Sequence, residues 1–308
     1  RNALRAGQRA TRAAQARGQS PYLAVLDDIL RGVNIVAQEP LGLVDIPAES
    51  IVGTKTAGRH TAFAPNFMPI LEADSEFARK WSNLCDAHLE EGIRYPVTAY
   101  EYLNKFYVEE GNKRVSVLKY YEAVKIPGTV TRLVPERNET LENKIYYEFL
   151  DFYKLSKINY VHFSRLGGYA KLQTLACKAT GESWTDDDRL NFASLYTMFS
   201  QQFYALGGSA LGLTPGDALL VYLAVYRYSD AIESTPAQVR ENLSKLWDEI
   251  KILTRPQAVE LQLEPATKQG AEPLLSKLNI FSPRPSELRV VLLHEHNAQT
   301  SAWVRGQD

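Results

Sequence analysis

Apolar and polar positions alternate with two different periods along this chain, and the change of period divides it into a mixed first half and a helical second half. Leu43-Val44-Asp45-Ile46-Pro47 is short, β-branched and closed by proline, which predicts an opening strand and then a turn. From Ser75-Glu76-Phe77 the residues Phe77, Trp81, Leu84, His88 and Leu89 recur on one face, so a helix with an inward apolar side is expected there. His88 has no second ligand at i±3 or i±4 and reads as a core or rim residue. Val97 to Tyr102 and Phe106 to Glu109 are aromatic-rich runs around Leu103-Asn104-Lys105, where Asn104 tolerates positive φ, and this predicts a hairpin. The second strand runs into Gly111, Val115 to Ala123 carry helical spacing, Pro127-Gly128 ends the connection, and Thr129 to Val134 resumes as a strand. The order is strand, glycine turn, helix, strand.

Beyond Thr140 helical spacing dominates. A helix is expected through Tyr146, Phe149, Phe152 and Tyr153, then an extended piece at Asn159 to Phe163. Thr185, Thr214-Pro215 and Thr235-Pro236 each sit where a helix would begin. Before the first strand, Ser20-Pro21 offers a cap to a short helix carrying Leu23, Leu26 and Leu30. Residues 256–286 lose periodicity and read as a linker, and Leu288 to Leu293 reads as a buried strand opening a further, truncated domain. The expected division is a helical arm (1–39), an α/β domain (40–138), a helical region (139–255), the linker, and the start of another domain (287–308). The fold class is α+β: a mixed sheet with helices, followed by a mostly helical region.

Composition narrows the function. The 308 residues are 45% apolar and 23% charged, ordinary values for a globular chain. A net charge of -1 provides no global attraction for nucleic acid, so any polyanion must meet a local patch. Arg1, Arg5, Arg9, Arg12 and Arg17 make one such patch, with no acid among them; it reads either as a basic arm for phosphates or another subunit, or as a solvated Ala-rich helix face. Cys85 and Cys177 lie on apolar faces without metal-type spacing and read as buried thiols. No apolar run approaches the roughly 20 residues of a membrane span, and Arg1 to Arg17 lacks the apolar core of a secretory signal, so a cytoplasmic location is expected.

The turn Gly111-Asn112-Lys113-Arg114 carries the chemistry. A glycine at a strand-to-helix junction lets the backbone approach a ligand, the first N–H groups of the helix point outward, and the helix dipole favours an anion at that end. Arg114 is suited to a bidentate phosphate contact and Lys113 to a mobile point charge. A solvated turn is the bland alternative. Ser164-Arg165-Leu166-Gly167-Gly168 is a second candidate turn, without Walker spacing. His294 and His296 are a metal pair without a third ligand, so no metal site is expected. The clustered aromatics Tyr146 to Phe163 suit a core better than base stacking.

The run from Pro96 through Tyr107-Val108-Glu109-Glu110-Gly111-Asn112-Lys113-Arg114 to Ile126-Pro127-Gly128-Thr129-Val130 resembles the ParB/sulfiredoxin core, over about a third of the chain. Ile51-Val52-Gly53-Thr54-Lys55-Thr56-Ala57-Gly58-Arg59 is similar in position to that family's first box. The resemblance implies a ParB-like domain that holds a nucleotide, CTP or ATP with Mg, through Gly111, Lys113 and Arg114, with Arg59, Thr54 and Lys55 opposite. Asn112 stands where ParB-like nucleases carry glutamate and sulfiredoxins cysteine. An amide serves neither as general base nor as nucleophile, which argues against catalysis and leaves Glu109 and Glu110 as the only nearby carboxylates. Residues 40–150 with the helical region also resemble the leader ahead of some bacterial basic-membrane-protein (BMP) substrate-binding domains, whose first strand and helix Val290 to Leu293 and Ser301 to Gly306 are similar to. That implies an ABC-transporter context.

Three functions therefore stand as expectations. They are a nucleotide-binding regulatory domain linked to a BMP-type protein, a ParB-like nuclease or phosphotransferase, and a non-catalytic scaffold; a homodimer is expected alongside the first. Residues 214–250 occupy the place of a DNA-reading element but hold six acids against three bases, a net of -3, so specific DNA reading there is not expected.

Overall fold

The computed structural model describes residues 1–254. The expected linker, the BMP-like start and the His294/His296 pair lie outside the described residues. Among those described, no helix is long and apolar enough to cross a membrane. The chain divides into two units, Arg1–Tyr147 and Glu148–Asp308.

The first unit begins with α1 (Asn2–Ala16), β1 (Ala24–Val25), α2 (Leu26–Ile29) and β2 (Ile35–Pro47). It continues with β3 (Ile51–Thr54), α3 (Glu76–Glu91), β4 (Val97–Tyr102), β5 (Lys105–Glu110), α4 (Asn112–Tyr120) and β6 (Lys125–Pro135), and α5 (Leu141–Ser156) starts in it. Six strands form one mixed sheet in the order β1-β3-β5-β4-β6-β2. The pairs β1/β3, β3/β5 and β4/β6 are parallel, and β4/β5 and β2/β6 antiparallel. This is the α+β class expected from the sequence. The β4–β5 hairpin turns through Leu103 and Asn104, both at positive φ, as its Asn-bearing turn predicts.

Both faces of the sheet are covered, and strand alternation sorts the side chains. Ile51, Val97, Ala99, Phe106, Val108, Ile126 and Val130 point to one side, where Val115 and Leu118 of α4 pack on them. Tyr102, Tyr107 and Leu133 point to the other, with Leu26. Glu101 of β4 and its cross-strand neighbour Arg132 of β6 form a buried ion pair, and Tyr146 of α5 donates to the same carboxylate at 3.0 Å. A further cluster joins α1, α3 and α4 through Ala3, Met68, Trp81, Cys85 and Val117, with the Trp81 indole donating to Ser116 Oγ at 2.8 Å.

Several boundaries differ from the sequence expectation. β2 starts at Ile35 rather than Leu43 because it pairs with β6 from Ile35↔Pro135 onward, accommodating Pro40 by a register shift between Pro40 and Gly42. Residues 1–39 are therefore part of the first unit, and the division falls inside α5 instead of after residue 138. Leu23 to Leu30 is only partly helical, since Ala24 and Val25 pair with Gly53 and Thr54. Tyr107 is buried in the second apolar layer. Cys177 is exposed, lying at positive φ in the turn after a helix, while Cys85 is buried.

The second unit is helical: the end of α5, then α6 (Gly168–Leu175), α7 (Asp186–Ala205), α8 (Pro215–Val225), α9 (Tyr228–Ile232), α10 (Pro236–Lys245) and α11 (Trp247–Ile252). Its core is aromatic, with Phe192, Phe199 and Phe203 on one face of α7 and the Tyr222 ring 5.3 Å from Phe199. Each such ring contributes about 1.5–3 kcal/mol by leaving water. Residues 159–163 are neither strand nor helix.

Candidate functional site

The turn after β5 is built around Gly111, which caps α4 at φ 106° and ψ 19°, a left-handed conformation that glycine adopts without strain. A β-carbon there would also lie 2.8 Å from Val97 Cγ1 and 3.0 Å from Arg114 Nε. Among the described residues no side chain caps this helix, and the N–H groups of Asn112, Lys113 and Arg114 have no protein acceptor. The helix start therefore presents three donors and the positive end of its dipole together.

A cleft of about 280 Å³ opens at this point, lined by residues 109–114, Arg59, Phe63 and Phe77. A neighbouring cleft of about 320 Å³ shares Arg59, Phe77 and Lys113 with it and adds Leu71, Glu76 and Lys80. Lys113 lies over the Phe77 ring at 4.8 Å. Burial, and then the like charges of Arg59 and Lys80, hold its ammonium below the usual lysine range. Lys80 pairs with Glu76 at 2.6 Å, whereas neither Arg59 nor Lys113 has a carboxylate within ion-pair distance among the described residues. Arg59 sits at a kink in the 3₁₀ segment Ala57–Ala62, with φ -143° and ψ 18°, and is exposed.

The other sequence candidates are placed differently. Arg114 is already engaged: Nη1 donates to the carbonyls of Tyr95 at 3.0 Å and Pro96 at 2.7 Å, and Nη2 pairs with Glu110 at 3.1 Å. It fastens the approach to β4 onto the helix start. Thr54 is buried beside the turn, donating to Val108 O at 3.0 Å and accepting from Asn112 Nδ2 at 3.2 Å. It shapes the turn and lines neither cleft. Lys55 follows strand alternation to the far side of the sheet, where it pairs with Asp27 and lies 5.4 Å over the Tyr100 ring. Asn112 Oδ1 is buried with no hydrogen-bond partner among the described residues. Glu109 and Glu110 both stand on the rim of the cleft.

Phe77 and Lys80, on the first turns of α3, were not candidates from sequence. Their signal was local only in part: Phe77 belongs to an apolar stripe, but its nearness to Gly111 depends on the packing of α3 against α4. Among the described residues, no group of three or more His, Cys, Asp or Glu side chains is arranged to hold a metal ion. The turn at Ser164-Arg165-Leu166-Gly167-Gly168 is filled from within: Gly167 N donates to Glu148 at 2.7 Å, and Ser164 N and Oγ donate to Asp217. No protein-family model matches the chain, and a search of curated proteins gave no match.

Proposed function

We propose that the first unit binds a phosphate-bearing ligand, a nucleotide, at the start of α4, and that it does so as a regulatory module. The observation that carries this reading is the uncapped helix start facing two cations, Arg59 and Lys113, that have no carboxylate within ion-pair distance among the described residues. A protein that leaves three helix donors and two positive charges unpaired in one cleft has left room for an anion. The ParB-like order of residues 96–130 supports a nucleotide over a simple anion, and the amide of Asn112 supports binding over turnover.

Thermal unfolding with CTP, ATP, GTP or pyrophosphate tests it. A ligand at a hundred times its dissociation constant stabilises by about 2.7 kcal/mol. Lys113→Ala and Arg59→Ala should each weaken binding by roughly ten- to a hundredfold, whereas Lys105→Ala, whose amine pairs with Glu142 instead, should not. No shift with any of these ligands at millimolar concentration would remove the reading. Because Glu109 and Glu110 share the rim of the cleft, a metal-dependent hydrolase remains the second reading. Turnover abolished by Glu110→Gln would establish it.

A further inference from the structure

The basic N-terminal segment takes on a different meaning once α1 is seen docked. Its arginines and its buried residues separate cleanly around the helix. At 3.6 residues per turn, Arg1, Arg5, Arg9 and Arg12 fall within an arc of about 80°, and the buried Ala3, Gly7 and Ala14 are centred roughly 180° away. The buried side is made of small residues because the helix lies close against the loop before α3. A β-carbon on Gly7 would stand 2.4 Å from Pro69 O and 2.9 Å from the Ile70 side chain. Ala3 packs in the cluster that holds Met68, Trp81, Cys85 and Val117. The arginine stripe is thus held on a rigid element along about 16 Å of helix.

None of the five arginine side chains has an ion-pair or hydrogen-bond partner among the described residues, and α1 contains no acid. Residues 1–17 carry five of the 35 basic residues and none of the 36 acidic ones, so the remainder has 30 against 36, a net of -6. The arginine stripe is thus an acid-free positive face on a chain whose remainder is net acidic. Arginine rather than lysine at every position favours planar, bidentate phosphate contacts.

We infer that the exposed face of α1 is a docking surface for the phosphate backbone of duplex DNA, without base reading. A membrane would need the apolar side of an amphipathic helix, and that side is already covered by Met68 to Ile70. Single strands are held by stacking on aromatics, and α1 has none. A helix face approaches the B-form major groove, about 12 Å wide, whereas the A-form groove is too narrow to admit it. This surface is independent of the cleft at α4.

The test is binding of the full chain to a short random-sequence DNA duplex, followed by fluorescence anisotropy at several salt concentrations. Four phosphate contacts give a slope of log affinity against log salt of about -3.6, a fall of roughly a hundredfold between about 50 and 200 mM. Arg5→Gln/Arg9→Gln/Arg12→Gln should bring the slope to about -1. Those side chains are exposed and unpaired, so its circular dichroism and Tm should match the wild type. Absence of duplex binding at low salt, an unchanged slope in the triple variant, or tighter binding to single strands, duplex RNA or phosphatidylserine vesicles would each overturn the inference.

Discussion

The longer helices of the second unit and the helix α4 of the first begin in different ways. In the second, the three helices α7, α8 and α10 begin in complete capping boxes, Thr185 with Asp188, Thr214 with Asp217 and Thr235 with Gln238. Its glycine-started helix α6 takes the Glu148 carboxylate at Gly167 N. In the first unit α4 also starts at a left-handed glycine, yet no carboxylate or hydroxyl closes it. The same first unit buries a full ion pair, Glu101 with Arg132, whereas the second buries the ring nitrogens of His162, neither of which has a partner among the described residues. An uncapped helix end that meets two cations in one cleft is a better sign of a ligand than a glycine turn by itself.

The largest effect should come from the buried pair. Glu101→Ala removes the carboxylate that faces Arg132 and leaves a guanidinium buried without its counter-charge, which costs about 3–5 kcal/mol. Denaturant unfolding measures it, and Glu101→Leu/Arg132→Leu should recover most of the loss. A single-variant loss below about 1 kcal/mol would mean that burial in this unit is not what the geometry indicates. Next come the two glycine starts. Gly111→Ala combines the left-handed penalty of about 1–2 kcal/mol with the contacts to Val97 and Arg114, whereas Gly167→Ala, with nothing within 4 Å of its β-carbon, carries the backbone penalty alone. Equal losses at the two positions would mean that the close packing around Gly111 has no energetic weight.

How much of this was legible in the sequence varies with the range of the interactions. The hairpin, the helix start at Asn112 and the three threonine caps follow from residues within four positions of one another, and all are present in the structure. The extension of β2 back to Ile35 depends on β6, nearly a hundred residues away, and no local pattern at Pro40 reveals it. The site divides along the same line. Gly111 and Lys113 meet in the cleft as the turn suggests, and Arg59 reaches it from the 3₁₀ segment that follows β3. Lys55 is lost because strand alternation turns it to the far side, and Arg114 is diverted by carbonyls at Tyr95 and Pro96 that approach only in three dimensions. Thr54 lies beside the turn, but its hydroxyl is taken up by Val108 and Asn112 and it lines neither cleft.

The third prediction concerns His162. Burial pushes its imidazole down to about 4, below the ordinary 6.5 that the unfolded chain retains. Between those values the unfolded state binds a proton that the folded state refuses, so acid favours unfolding. The stability is fully present above pH 6.5 and is lost as pH falls toward 4, with a slope of about 1.4 kcal/mol per pH unit at most. His162→Phe, which sets a ring of similar shape beside Phe149, should flatten that slope and gain more at pH 5 than at pH 8. A slope that survives the substitution would assign the acid sensitivity to another group.

The smallest effect separates an open helix end from a binding site. Thr235 accepts from Gln238 N at 3.3 Å, and Gln238 Oε1 accepts from Thr235 N at 2.8 Å, so Thr235→Ala should cost about 1 kcal/mol and Thr235→Gly only a few tenths. Thr235→Gly also makes the start of α10 resemble that of α4, with a glycine and no side-chain cap. What it lacks is cations, because Pro236, Ala237 and Gln238 follow where α4 has Asn112, Lys113 and Arg114. Pyrophosphate should therefore raise the Tm of the wild type through α4 and add no further increment in Thr235→Gly. An extra increment would mean that free N–H donors suffice to hold the anion and that Arg59 and Lys113 are incidental to the cleft. Its absence, together with loss of the wild-type shift in Lys113→Ala, would assign the binding to the joint action of the helix end and its two unpaired cations.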